Sequence, residues 1–114
     1  AQKEKDILAE YRDCWYSGNW VNSTELIKER NSDFSGWLKF NGTDIDHPVF
    51  QTDNNSFYMN HNADKKKSGN GSLMFDCDNK ISENKTDKNL VIYGAGNYGR
   101  ILYWYLYDIL KAKR

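Results

Sequence analysis

The sequence predicts an α+β domain, mainly β with flanking helices. Three observations predict it. Apolar residues recur at helical spacing near both ends of the chain, while short apolar runs broken by turn residues fill the middle. Aromatic residues make up 15% of a 114-residue chain, enough bulky side chains to fill a core despite a low hydrophobic share of 39%. That length suits one domain, read as a helical lead-in over residues 1–30 and a β domain over 31–114 that ends in an apolar helix.

Ile7, Leu8, Tyr11 and Trp15 mark a helix over Glu4–Trp15, broken at Ser17-Gly18-Asn19. Asn22 followed by Glu25 has the form of a capping box, predicting a second helix from Ser23 to about Glu29. Gly36–Phe40 is a strand ending at Asn41-Gly42, a strong hairpin signal. Asp44–Phe50 returns, with Pro48 placing it at a sheet edge or a strand start. A short aromatic segment, Ser56–Met59, precedes the polar loop Lys65–Gly71 and a strand over Ser72–Asp76. Residues 81–88 read as loop, and Asn89–Tyr93 as the last strand. Strands without helices between them predict an antiparallel sheet or barrel. Arg100–Leu110 is helical and too apolar to be exposed. Lys111, Lys113 and Arg114 follow it, suiting a helix C-terminus, where cations oppose the free carbonyls.

Sixteen basic residues balance sixteen acidic ones, which excludes the cationic surplus that a nucleic-acid or anionic-membrane binder uses against phosphates. No run of about 18 apolar residues spans a membrane. The charged N-terminus is no secretory signal, and a chain that starts with Ala reads as a processed or cut-down product. Cys14 and Cys77 fit no metal spacing and read as unpaired structural thiols. His47 and His61 have no zinc-spaced partner and read as structural. Asp44, Asp46, Asp53, Asp76 and Asp78 lack an EF-hand spacing and read as solvated turn carboxylates, and Lys65–Lys67 as an exposed loop. No metal and no cofactor is expected.

Asn31-Ser32-Asp33-Phe34-Ser35-Gly36-Trp37-Leu38-Lys39, followed by Asn41-Gly42-Thr43-Asp44-Ile45-Asp46-His47-Pro48-Val49, resembles the opening of the class B sortase domain. The likeness continues through Asp53-Asn54-Asn55-Ser56-Phe57-Tyr58-Met59. Gly71-Ser72-Leu73-Met74-Phe75-Asp76 is similar to the family's Gly-Ser strand, and Asn89-Leu90-Val91-Ile92-Tyr93-Gly94 to the strand that delivers its catalytic histidine. The resemblance implies a β-barrel of about eight strands, incomplete here. It also implies a cysteine transpeptidase on the outer face of a Gram-positive membrane, joining sorting-signal peptides of surface proteins to cell-wall peptidoglycan.

Such chemistry needs a thiolate, a histidine that handles protons, and an arginine for the oxyanion. None is intact. The family follows Tyr-Gly with His, whereas Tyr93-Gly94 is followed by Ala95. The family's cysteine and arginine belong to later strands, and Arg100 is not promoted in their place. What the resemblance leaves is part of a substrate groove, with Asn55 and Met59 at the family's peptide-contacting positions. The expected function is therefore a sortase-family chain, truncated or altered and inactive alone. A degenerate peptide- or partner-binding domain is the alternative, and a homodimer by edge pairing or helix swapping is expected of an unfinished barrel.

A third reading rests on Gly94, Gly96 and Gly99, whose spacing between a strand and a helix suits a dinucleotide pyrophosphate. The acidic ribose-binding residue that should follow about 20 residues later has no place in this sequence. A tight strand-to-helix turn is the simpler reading.

Overall fold

A computed structural model describes residues 2–82 and 85–94. Helix α1, Gln2–Tyr16, agrees with the helical spacing of Ile7, Tyr11 and Trp15. Helix α2, Trp20–Arg30, starts earlier than its sequence signal. Its cap is Asn19, in extended backbone, whose side chain accepts from the Asn22 amide at 2.9 Å. The Asn22/Glu25 pair therefore lies inside the helix. Trp20 and Val21 hide that first turn from the pattern, because both point largely into solvent at 71% and 74% exposure.

The described strands form one open sheet in the order β1-β2-β3-β4, with β1 at Phe34–Lys39, β2 at Asp46–Phe50, β3 at Leu73–Phe75 and β4 at Ile92–Tyr93. The Asn41-Gly42 signal is correct: β1 and β2 are antiparallel, and Gly42 holds a φ of 90° in the connecting turn. Two expectations need correction. The sheet is mixed, because β2 and β3 run parallel, Val49 opposite Leu73 and Phe50 opposite Met74. Parallel neighbours need a long crossover, and residues 51–72 supply one as a loop with a single 3-10 turn at Phe57–Met59. Without a crossover helix, nothing in the pattern announces the parallel pair. Pro48 is likewise in an interior strand, not at an edge. It is tolerated because the ladder to β3 begins one residue later, at Val49. The segments predicted as Asp44–Phe50 and Asn89–Tyr93 shorten to β2 and β4, since Asp44 lies in the hairpin turn and 89–91 outside the ladder.

Both faces of the sheet are covered. Alternation sends Phe50 and Met74 toward the helices, where they join Ile7, Tyr11, Ile27, Phe34 and Tyr58. Val49, Leu73 and Phe75 point the other way and pack with Ile45, Leu38, Phe40, Ile81 and Ile92. The helical lead-in thus shares a core with the strands. A polar clasp reinforces it: Tyr11 donates to the Ala63 carbonyl at 3.0 Å and to Asp64 at 2.9 Å. Arg30 grips Asp64 through two nitrogens, at 2.8 and 2.7 Å, and lies 4.6 Å from the Tyr11 ring centroid.

The Arg30 hydrogen bonds, outweighing partial burial, hold the Asp64 carboxyl below its ordinary range. Folding therefore favours the ionised form. The stabilisation is complete above the ordinary aspartate range and is lost as pH falls through the lowered folded value. Urea midpoints followed from neutral to acid pH should fall, and Asp64→Asn should make that fall shallower. An unchanged slope would show the clasp adds no pH dependence.

Candidate functional site

The two residues expected to touch peptide lie at either end of the 3-10 turn, in the crossover loop. Asn54 starts the turn by accepting from the amides of Ser56 and Phe57 at 2.9 and 2.8 Å. Tyr58 is its buried anchor, stacked on Phe50 at 5.1 Å between ring centroids and donating to Asp33 at 2.6 Å. Met59 ends the turn with 40% of its surface exposed. Its position is set by backbone: Ser72 donates to the Tyr58 carbonyl at 2.8 Å, and Gly71 packs under the carbonyls of Tyr58 and Met59.

Asn55 is exposed, but its carboxamide is fixed at both ends. Its Oδ1 accepts from the Cys77 amide at 2.8 Å, and its Nδ2 donates to Asp76 Oδ2 at 3.3 Å. The same Asp76 oxygen accepts from the Tyr93 hydroxyl at 2.8 Å, and Oδ1 from the Asp78 amide at 2.8 Å. Gln51 ties the loop to the turn after β3, donating to the carbonyls of Asp76 and Asn79 at 2.9 and 2.7 Å. Asn55, Asp76, Cys77 and Tyr93 therefore meet where β3 ends and β4 begins. The Asp78 amide, then Tyr93 and Asn55, keep the Asp76 carboxyl below its usual range, and the bond to Asp76 raises the Tyr93 phenol.

The resemblance singled out Asn55 and Met59 as expected peptide contacts, and no spacing rule pointed to Asp76, Tyr93 and Gln51, which bond to Asn55, hold its partner or tie down its loop. Their side-chain bonds reach across 17 to 28 residues, a distance over which no local spacing rule operates. Ala95, at the family's histidine position, lies outside the described residues, as do Gly96, Gly99 and the predicted helix Arg100–Leu110. Gly94 is described, and the strand before it runs antiparallel to β3. A dinucleotide motif belongs in a parallel βαβ unit, so the glycine spacing loses its setting.

Neither cysteine has a disulfide partner. Desolvation, then the carboxylates of Asp78 and Asp76, push the Cys77 thiol up, the opposite of what a nucleophile needs. The atoms of Asp76, Cys77 and Asp78 come within 4.8 Å of one another, yet both Asp76 oxygens already accept hydrogen bonds. His61 stacks on Phe57 at 3.9 Å, its Nδ1 2.7 Å from the Phe57 carbonyl oxygen. His47 is buried, and desolvation lowers its pKa, favouring the neutral ring. A separate cleft of about 750 Å³, lined by Ile7, Leu8, Arg12, Lys39, Ile45 and His47 among others, includes neither Asn55 nor Met59. No helix among the described residues is long and apolar enough to cross a membrane.

No protein-family model matches the chain. Curated relatives do. Sortase B of Listeria monocytogenes is 37% identical over 68 residues, 60% of this chain and 27% of the relative. Sortase B of Staphylococcus aureus is 29% identical over 87 residues, 76% of this chain and 35% of the relative. The chain thus spans about a quarter to a third of these relatives' length. Among solved structures, a mutant form of Clostridium perfringens sortase B matches with a TM-score of 0.66 and 35% identity, over 77% of this chain and 43% of that one. Bacillus anthracis sortase B shares the fold with a TM-score of 0.74 at 19% identity, over 82% and 46%. A Staphylococcus aureus sortase B–substrate complex does so with 0.72 at 22%, over 82% and 45%. In sequence and in fold, this chain is similar to class B sortases along a stretch that covers less than half of each of these solved relatives.

Proposed function

We propose that this chain supplies the peptide-contacting part of a cysteine transpeptidase that anchors surface proteins to the Gram-positive cell wall. In this reading Asn55 and Met59 hold a sorting-signal peptide, and cell-wall peptidoglycan is the acceptor. The protein works on the extracellular face of the cell membrane. The observation that carries it is the fixed, outward-facing Asn55 carboxamide, on the same turn as the exposed Met59. The likeness to a sortase B solved as a substrate complex supports the same ligand class.

The chain by itself has no nucleophile–base pair to run the chemistry. Ala95 stands where the family has its histidine, desolvation and then Asp78 and Asp76 push the Cys77 thiol up, and His61 packs on Phe57. Each missing group is worth about two or more orders of magnitude in rate. A fluorogenic Asn-Pro-x-Thr-type peptide should therefore bind without turnover above buffer. Turnover that disappears in Cys14→Ser or Cys77→Ser would overturn the inactivity. Absence of binding would overturn the peptide-contacting role. A homodimer through sheet edges remains part of the proposal, read by light scattering behind a sizing column, where a clean monomer of 13.4 kDa would refute it.

A further inference from the structure

We propose that Asp76 is a positioning residue that couples the Asn55 peptide contact to the end of β4 through one shared carboxylate oxygen. The inference rests on the peptide-contacting role of Asn55 given above and extends it to the chemistry of the contact.

An asparagine carboxamide has one acceptor end and one donor end, and their assignment follows from its partners. At Asn55 the partners leave one choice. The Cys77 amide can only donate, so it must meet Oδ1, at 2.8 Å. The Asp76 carboxylate can only accept, so it must meet Nδ2, at 3.3 Å. A flipped amide would set donor against donor and acceptor against acceptor. With the carboxamide held this way, one hydrogen of Nδ2 is spent on Asp76, and the other has no partner among the described residues. Asn55 therefore offers a ligand a donor. The matching ligand group is an acceptor, such as a backbone carbonyl of an extended peptide.

Asp76 is itself held from three directions. Its amide donates to the Val91 carbonyl at 2.9 Å, its Oδ1 accepts from the Asp78 amide, and its Oδ2 accepts from Tyr93 at 2.8 Å. Strand β4 is only two residues long, so the Tyr93–Asp76 bond is a large share of what fixes its end. Ala95, the position where the family carries its proton-handling histidine, follows two residues after Tyr93. A carbonyl that draws on the Asn55 amide shifts density in the Asp76 oxygen that Tyr93 also uses. The peptide contact and the strand leading to the base position thus share one atom. Three donors on one carboxylate keep it ionised, and hydrogen bonds to a charged acceptor are the stronger kind.

The test uses the full chain and three variants, Asp76→Asn, Tyr93→Phe and Asn55→Ala. The first reading is the side-chain amide resonances of Asn55 in a nitrogen-15 correlation spectrum. Both Asp76→Asn and Tyr93→Phe should move them, the first by removing a direct partner and the second through the shared Asp76 oxygen. The second reading is affinity for an Asn-Pro-x-Thr-type peptide. Asp76→Asn should weaken it about tenfold, close to the loss in Asn55→Ala. Thermal midpoints should fall only modestly, because Asn55 and Tyr93 are exposed and Asp76 is half-buried. Asn55 resonances that ignore both substitutions would overturn the positioning role, whatever the peptide does. So would weaker binding in Asn55→Ala together with unchanged binding in Asp76→Asn. A wild-type chain that binds no peptide would overturn the peptide-contacting role instead, and the resonance shifts would still decide for or against Asp76.

Discussion

Phe50→Ala is expected to cost about 3–5 kcal/mol of folding stability, the range for deleting a fully buried aromatic ring. Phe50 is 0% exposed and stands where four elements meet. Its ring stacks on Tyr58 at 5.1 Å and meets Tyr11 and Phe34 edge-on at 6.1 and 6.3 Å. Removing it opens a void bordered by α1, β1 and the 3-10 turn, and large rings on three sides cannot collapse into it without leaving their own partners. Small domains are stable by about 5–15 kcal/mol in total, so this one change removes a large fraction. Urea unfolding followed by tryptophan emission measures it. Trp20→Ala is the contrast, because Trp20 is 71% exposed and stacks on the half-buried Trp15 at 6.3 Å. It should cost less than about 1 kcal/mol. Similar midpoints for the two variants would show that Phe50 is not the keystone of this core.

Gly71→Ala should be nearly as damaging, for a backbone reason. Gly71 has a φ of +62°, and a left-handed non-glycine residue costs about 1–3 kcal/mol. A Cβ there would also come within 2.6 Å of both the Tyr58 and Met59 carbonyl oxygens. Those atoms are main chain and cannot swing aside, so the 3-10 turn must move and take Met59 with it. Stability and peptide affinity should fall together. Gly69→Ala is the control two residues away, with nothing within 4 Å of the added carbon. If Gly71→Ala unfolds no earlier than Gly69→Ala, the turn is not clamped by this contact.

The helices and the hairpin were legible because their signals are local. Tyr11 and Trp15 fall on one stripe of a helix, and Asn41-Gly42 supplies the positive φ that a tight reversal needs. The start of α2 was misplaced because two apolar residues, Trp20 and Val21, face solvent there and break the stripe. The likeness to class B sortases, and with it the expectation that Asn55 and Met59 contact peptide, was legible in ordered motifs from Ser32 to Tyr93.

What the sequence determined by itself was therefore what neighbouring residues decide among themselves: helix stripes, the hairpin turn, and the absence of a histidine after Tyr93-Gly94. Only the tertiary structure decided the parallel pairing of β2 with β3, the place of Pro48 in an interior strand, and the bonds that join Asn55, Asp76 and Tyr93. The physical reason is reach. A helix turn or hairpin is settled by dihedral preferences over a few residues. A crossover and a shared carboxylate are settled by burial and donor–acceptor matching between segments about 20 residues apart, and Leu73, Met74 and Phe75 find their register only once both faces of the sheet are covered.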